Sequence, residues 1–407
     1  MSTDVEEIQT MLDIAYKYSC QHRYNIHPQK SALIKTERNK MKSLTEPVKL
    51  GEKPLQTVNQ TVHLGIIRAN KNETNLNIQE HISIARKTLY SLIPVGLNGK
   101  NGLNPVTAYK IYQAYVLPRL LYGLEVLPLN ISQITELKQF HTKTLRCFQS
   151  LPVRTATSAV YRLLGALPIE AELHKRQLSL LYSILASKLK NLMERQLTVN
   201  KNNPESFFSR IQDILNLYNL PPIYVLVDAL PTKLAWKRGI NLNIVEKWTN
   251  KLSEEVEGKS TMKLCNRDML KIHDVHPVWS SLPAVTREVK KAQIKARLLT
   301  GTYLLQSDMQ RFSKEKDEQK CELCQIEQDN MEHFLLRCPV LNEKRKITLS
   351  KLKQTLIQST GQDKWTETIV GNKTLLLQTI IDVTAVADEL NINQETFKKI
   401  ELISRNL

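Results

Sequence analysis

Three cysteines and one histidine lie close together in the last third of the 407-residue chain. They are Cys321, Cys324, His333 and Cys338, in the spacing C-x2-C-x8-H-x4-C. Thiolates and an imidazole in so short a stretch can complete a tetrahedral zinc shell without help from elsewhere in the chain. Since four ligands fill that shell, the spacing predicts a structural zinc knuckle over residues 321–338, with no open position for catalysis. The alternative is three chance cysteines in a reduced protein.

The charge of the chain is unevenly placed. The formal net charge at pH 7 is +17, which predicts a polyanionic partner. Residues 301–407 carry slightly more acidic than basic side chains, so the whole excess comes from residues 1–300. We therefore expect the metal-binding stretch to be a structural element and the upstream region to carry the basic surface.

Cysteine use and hydrophobicity bear on the compartment. Cys20, Cys147 and Cys265 are far apart in the sequence, which is typical of a reducing, intracellular environment. Nucleus and cytoplasm are not distinguished. The first 20 residues are amphipathic and acidic rather than signal-like, and no run of about 18 apolar residues predicts a membrane span.

The hydrophobic pattern predicts a mainly α-helical protein with a small α/β region at its start. Glycine is scarce, with 12 in the whole chain, which argues against a doubly wound nucleotide-binding sheet. A first helix is expected over residues 3–20, with Ser2 or Thr3 as its cap. Short strands are expected at Tyr24–His27, Ser31–Ile34 and Val62–Ile67.

Further helices are expected from about residue 75 onward. One is predicted over Ile78–Leu92, and Asn104-Pro105 has the cap and first-position residues that begin another. Pro118 lies inside an apolar run and should kink or break its helix. Thr157–Leu164 reads as a short helix that ends at Gly165.

Basic side chains on these helices are the candidate phosphate contacts. Such contacts are independent of base sequence and sensitive to salt. Arg287, Lys291 and Lys295 recur every four residues on one predicted helix. The other candidates are Arg119, Lys143, Arg146, Arg154 and Arg162. The alternative for both sets is a scatter of solvated charges.

Three groups of sequence stretches resemble a known family. The stretches are YNIHPQKS at 24–31 with HLGI at 63–66; ARKTLYSL at 85–92 with NGLNP at 101–105 and LPRLLYGLEVL at 117–127; and HPVWS at 276–280 with KARLLTGTY at 295–303 and the zinc knuckle. Together they resemble the C-terminal half of the reverse transcriptase of non-LTR (LINE-type) retrotransposons. The likeness extends to about residue 350.

The resemblance implies a domain map and a partner. Residues 1–72 would be the incomplete end of the polymerase palm, and residues 73–195 a helical thumb-like domain that follows an RNA–DNA hybrid or duplex. Residues 207–345 would be a helical domain that ends in the CCHC knuckle, and residues 346–407 a helical tail. Lys30 would match the lysine of the palm's fourth motif, a candidate proton donor to the departing pyrophosphate; without the resemblance it is a surface lysine.

One departure from the family decides the expected activity. Polymerase chemistry uses two metal ions held by acidic residues, and the family carries these in a Phe/Tyr-x-Asp-Asp turn and an earlier aspartate-bearing strand. No Asp-Asp pair occurs in this sequence. We expect a truncated form that is inactive alone, with magnesium needed only by the intact parent polymerase, and with nucleic-acid binding as the remaining role. The alternative is a co-opted or degenerate helical zinc-knuckle interaction protein; the oligomeric state is left open.

Overall fold

The computed structural model describes residues 4–35, 47–99, 103–188, 190–200, 203–204, 206–266, 271–283, 285–309, 320–370, 372–387 and 390–407. Within these residues the chain is mainly helical and has three small two-stranded sheets, which confirms the predicted fold class. Ser2, Thr3, Asn101 and Gly102, which entered the sequence predictions, lie outside the described residues.

The helices follow one another through most of the chain. Those of the first half are α1 (Val5–Gln21), α2 (Glu73–Ser91), α3 (Pro105–Ile111), α4 (Leu117–Leu121), α5 (Ile131–Phe148), α6 (Thr157–Leu164), α7 (Ile169–Leu185) and α8 (Lys190–Val199). Those of the second half are α9 (Phe207–Leu217), α10 (Ile223–Asp228), α11 (Lys233–Glu257), α12 (Pro277–Ser280), α13 (Thr286–Leu299), α14 (Gln306–Met309), α15 (Asn342–Thr360), α16 (Gln362–Lys364), α17 (Lys373–Ile381), α18 (Thr384–Ala387) and α19 (Gln394–Ser404). None of the helices described combines the length and the apolar character that crossing a membrane requires.

Among the described residues, the strands lie in the N-terminal region. They are β1 (Ala32–Leu33), β2 (Lys49–Leu50), β3 (Lys53–Pro54), β4 (Gln56–Thr57), β5 (Gln60–His63) and β6 (Ile66–Ala69). β1 pairs with β4 in parallel, and β2–β3 and β5–β6 are antiparallel pairs. Leu64 and Gly65 both have positive φ, the backbone that a two-residue hairpin turn requires.

Local capping chemistry explains why some helix boundaries were predicted correctly. The Asn104 side chain accepts a hydrogen bond from Val106 N, and Gly165 ends α6 with a φ of 60°. The first helix begins later than expected because Asp4, and not Ser2 or Thr3, is its cap. Pro118 does interrupt its helix: a π-helical segment, Tyr112–Val116, joins α3 to α4.

Three local predictions were wrong. Residues 62–67 belong to the hairpin β5–β6 rather than to one strand. Tyr24–His27 is not a strand but an irregular connection, and strand pairing begins only at Ala32. α2 begins at Glu73 rather than near Ile78. The reason is Asn77, whose buried side chain bonds both the N–H and the carbonyl of Ile67 and so fastens the first turns of α2 to β6.

One contiguous buried cluster runs from α2 to α19, so it crosses the boundary predicted between residues 195 and 207. Its largest fully buried side chain is Trp279, whose indole N–H donates to Gln149 Oε1 at 2.9 Å. The backbone N–H of His276 donates to Leu163 O at 3.1 Å in the same region. Residues 73–195 and residues 207–345 therefore share packing, and their division into domains stays a prediction.

A buried histidine ties α5 to the start of α7. His141 is fully buried, with Nδ1 2.8 Å from the Tyr112 hydroxyl and Nε2 3.2 Å from Leu167 O. A carbonyl only accepts, so Nε2 carries the proton and Nδ1 accepts from Tyr112. Burial lowers the pKa of His141 to about 4. The imidazole is a neutral packing group.

The free energy of unfolding is expected to fall as the pH is lowered from 6.5 to about 4, because the unfolded chain binds a proton at His141 that the folded chain excludes. Such a pKa difference corresponds to about 3 kcal/mol. Urea unfolding over this pH range checks it. His141→Gln should reduce the dependence, with a further part remaining from His174, whose pKa burial also lowers to about 4. His63→Gln, at an exposed strand position, should leave it unchanged. Equal pH dependence in His141→Gln and the parent protein would contradict the assignment.

Candidate metal centre

The predicted cysteines and histidine meet at one point in the fold. The ligand atoms of Cys321, Cys324, His333 and Cys338 all lie within 4.8 Å of one another. The sulfurs of Cys321 and Cys338 are 4.0 Å apart, and Cys324 Sγ is 3.3 Å from His333 Nε2.

These separations match a single tetrahedral shell. Two thiolates that are each about 2.3 Å from a tetrahedral ion lie about 3.8 Å apart, and a thiolate and an imidazole nitrogen lie about 3.5 Å apart. The observed sulfur–sulfur and sulfur–nitrogen distances are close to both values. The cluster could therefore hold one metal ion with all four of its positions taken by the protein.

The first two ligands sit on a tight backbone turn. Cys321 N donates to Glu327 O, and Gln325 N donates to Cys321 O, each at 2.8 Å. Gln325 has a φ of 58°, which reverses the chain directly after Cys324. These two hydrogen bonds close the turn between Cys321 and Glu327. Within it, the sulfurs of Cys321 and Cys324 both face the ligand cluster.

The other two ligands stand at the ends of a π-helical turn, His333–Arg337. The side chain of Asn330 accepts from His333 N at 2.9 Å, and Cys338 N donates to His333 O at 2.8 Å. Because a π turn closes over five residues, it places the Cys338 sulfur beside the His333 ring.

A carboxylate orients the histidine. Glu327 Oε2 lies 3.1 Å from His333 Nδ1. The carboxylate can only accept, so Nδ1 carries the proton and Nε2 turns its lone pair toward the sulfurs. A carboxylate behind a ligating histidine is a common means of fixing the ring and raising its basicity toward a metal ion.

Burial and local hydrogen bonds shift the pKa values of the Cys321 and Cys324 thiols in opposite directions. Cys321 and Cys338 are buried together with His333, while Cys324 is half-buried. The backbone N–H of Ile326 is the main cause that lowers the pKa of Cys324 to about 7. Burial raises the pKa of Cys321. Cys324 thus presents the thiolate that binds metal more readily than Cys321 does.

Arg345 connects the metal centre to α15. Its guanidinium donates to Cys338 O and, at 3.4 Å, to Phe334 O. The Phe334 ring in turn contacts Tyr303, with ring centroids 5.9 Å apart. The cysteine spacing indicates neither Glu327 nor Arg345, because their roles depend on where the folded chain places them.

The predicted phosphate contacts fall into three groups by exposure. Those exposed to solvent are Arg119, Lys143, Arg154 and Arg287, and Lys30 is exposed as well, at the end of the short helical turn Pro28–Lys30. Those half-buried are Arg146 and Lys291. Those buried are Arg162 and Lys295.

Several of these cations already have protein partners. Arg154 donates to Thr302 O at 2.6 Å, and Arg119 donates to Tyr115 O at 2.6 Å. Arg146 donates to Thr155 O and to Thr157 Oγ1, at 3.0 and 3.1 Å. These bonds hold the side chains near the surface in defined positions.

Arg162 and Lys295 correct the predicted set, because neither reaches the surface that a phosphate could approach. Arg162 lies in α6, where residues 158–164 are all buried. Lys295 Nζ bonds Glu401 Oε2 at 2.7 Å and Ser404 Oγ at 2.6 Å. The four-residue recurrence correctly identifies one helix face, but α19 covers the end of that face.

Comparison with family models, with curated proteins and with solved structures finds no match. The resemblance to LINE-type reverse transcriptases therefore depends on the quoted sequence stretches. The ligand geometry of the metal centre is independent of that resemblance.

Proposed function

We propose that this chain binds the phosphate backbone of an RNA–DNA hybrid or duplex through exposed cations of its helical body. We further propose that its metal centre is a structural zinc site. The observation that carries the first proposal is the net charge of +17, whose excess lies upstream of the metal centre.

The exposed cations support backbone binding without base recognition. Arg119, Lys143 and Arg154 lie on or beside the helices α4 to α6 and are open to solvent. Arginine and lysine at such positions neutralise phosphates and release counterions, which strengthens binding at low salt. Contacts of this kind position a nucleic acid and carry little sequence information.

Zinc is the metal that the donor set favours. Three thiolates and one imidazole in a closed tetrahedral arrangement are typical of structural zinc and leave no position for water or substrate. The site is anchored to α15 through Arg345 and to the core through Leu335. We therefore assign the ion a folding role rather than a catalytic one.

The reverse-transcriptase ancestry is part of the same proposal. The quoted sequence stretches support it, and they assign the helices α2 to α7 to a thumb-like grip. Because the sequence holds no Asp-Asp pair, we expect no primer extension by this chain alone. Without that pair, Lys30 is expected to act as one more exposed cation.

Binding to a labelled RNA–DNA hybrid is expected to weaken steeply as salt is raised, because each phosphate contact contributes about −0.9 to the slope of log K against log salt. Fluorescence anisotropy over a salt series measures that slope. Arg119→Gln and Lys143→Gln should each reduce its magnitude by about one contact.

The matched control is Lys399→Gln. Lys399 is an exposed cation of α19 that pairs with Glu395 at 2.8 Å, far along the chain from the proposed grip. It should leave the slope unchanged. No salt-dependent binding by the parent protein, or equal effects of all three variants, would refute the proposed grip.

A protein-interaction role is the second candidate, and one observation favours it. Met11, Ile14 and Tyr18 lie on one face of α1 and are each more than half exposed. Exposed apolar side chains at helical spacing are suited to docking another helix. Absence of nucleic-acid binding together with self-association or partner binding that Ile14→Glu abolishes would favour this role.

A further inference from the structure

A cleft lies where the metal centre meets the last helices. Its volume is about 380 Å³, and α13, the π turn of the metal centre, α17 and the end of α19 enclose it. This size lies within the usual range for small-molecule sites, about 300 to 1,000 Å³. The cleft is distinct from the proposed nucleic-acid grip on α4 to α6.

One part of the cleft wall is apolar. The lining side chains include Ile294, Leu298, Tyr303, Phe334, Ile380 and Ile381. Ile294 is 47% exposed, so the apolar wall opens to solvent. A ligand with a hydrocarbon body would remove this surface from water, which is favourable in proportion to the area covered.

Four cations line the cleft. Arg287 is exposed and Lys291 half-buried, whereas Lys295 and Arg405 are buried in the cleft wall. Glu288 pairs with Lys291, Glu401 pairs with Lys295 and Arg405, and Asp382 also acts on Lys295, so three of the four cations have carboxylate partners. Arg287 has no hydrogen bond or ion pair among the described residues, and its guanidinium is exposed at the rim. Arg287 is therefore the cation of the cleft whose guanidinium can meet an anion.

We propose that this cleft binds a small anionic amphiphile, a carboxylate on a medium-length apolar body, with the carboxylate against Arg287. The guanidinium is suited to a carboxylate because its planar donors bond both oxygens. The apolar walls exclude a sugar–phosphate backbone as the matching occupant, since that backbone has no comparable hydrocarbon surface. This site is an addition to the proposed nucleic-acid function.

Titration calorimetry of the full, metal-loaded chain with octanoate tests the site. We expect one octanoate per chain, bound about tenfold more tightly than 1-octanol, as one charge-assisted hydrogen bond provides. Octyltrimethylammonium should not bind, because its charge is repelled by the rim. Binding of octanol as tight as that of octanoate, or no octanoate binding, would overturn the proposal.

Three variants locate the binding. Arg287→Gln should weaken octanoate about tenfold and leave octanol unchanged. Lys290→Gln, at an exposed position of α13 outside the cleft, is the matched control and should have no effect. Ile294→Trp should block the cleft without overpacking the core, since Ile294 is half exposed. Equal octanoate affinity in all three variants would place the binding elsewhere and refute the site.

Discussion

Replacing Cys324 by serine is expected to lower bound zinc from one ion per chain to near zero at micromolar free metal, and to unfold the turn that carries the ligands. The half-buried Cys324 is the most exposed of the four ligands, so the change itself costs little packing. The loss is large because structural zinc provides about 10 to 16 kcal/mol of apparent binding free energy, which is also folding free energy for the local module.

Metal content by atomic emission and protection of the Cys321–Cys338 segment by hydrogen exchange measure the effect. Cys20→Ser is the matched control, because Cys20 is exposed on α1 and should keep full zinc content. Glu327→Gln should retain zinc with about 10- to 100-fold lower affinity, since the carboxylate only orients His333. Full zinc binding by Cys324→Ser would show that the site has a different ligand set.

Replacing Glu401 by glutamine is expected to lower the free energy of unfolding by about 3 to 5 kcal/mol, because two buried cations lose their shared anion. Glu401 Oε2 is 2.7 Å from Lys295 Nζ, and Oε1 is 3.3 Å from Arg405 Nε. All three side chains are buried. This cluster holds α19 against α13. We therefore expect α19 to separate from α13 before the rest of the protein unfolds.

Urea unfolding, followed by circular dichroism, measures the loss. Glu395→Gln is the matched control on the same helix: its carboxylate pairs with Lys399 at the surface and should contribute little. Burial lowers the pKa of Lys295, and losing the Glu401 charge should lower it further. The loss in free energy of unfolding caused by Glu401→Gln should therefore shrink as the pH is raised and Lys295 releases its proton. An equal loss at all pH values would contradict the buried-charge explanation.

Short-range chemistry is the part of this protein that the sequence determined by itself. Cys321 to Cys338 span so few residues that ligand type and spacing were enough to identify the cluster. The cap at Asn104 and the end of α6 at Gly165 follow from side chains that act on their own backbone neighbours. The helical class follows from hydrophobic spacing in the same local way.

Tertiary structure decided which polar groups stay at the surface. Lys295 appeared with Arg287 on one basic face, but α19, more than a hundred residues later, places Glu401 over it. Asp382 likewise reaches His276 Nε2, at 3.2 Å, and its carboxylate also accepts from Asn266 N and from the Thr384 hydroxyl. A sequence pattern reports which residues share a helix face. It does not report what covers that face, because such packing joins segments whose separation along the chain carries no periodic signal.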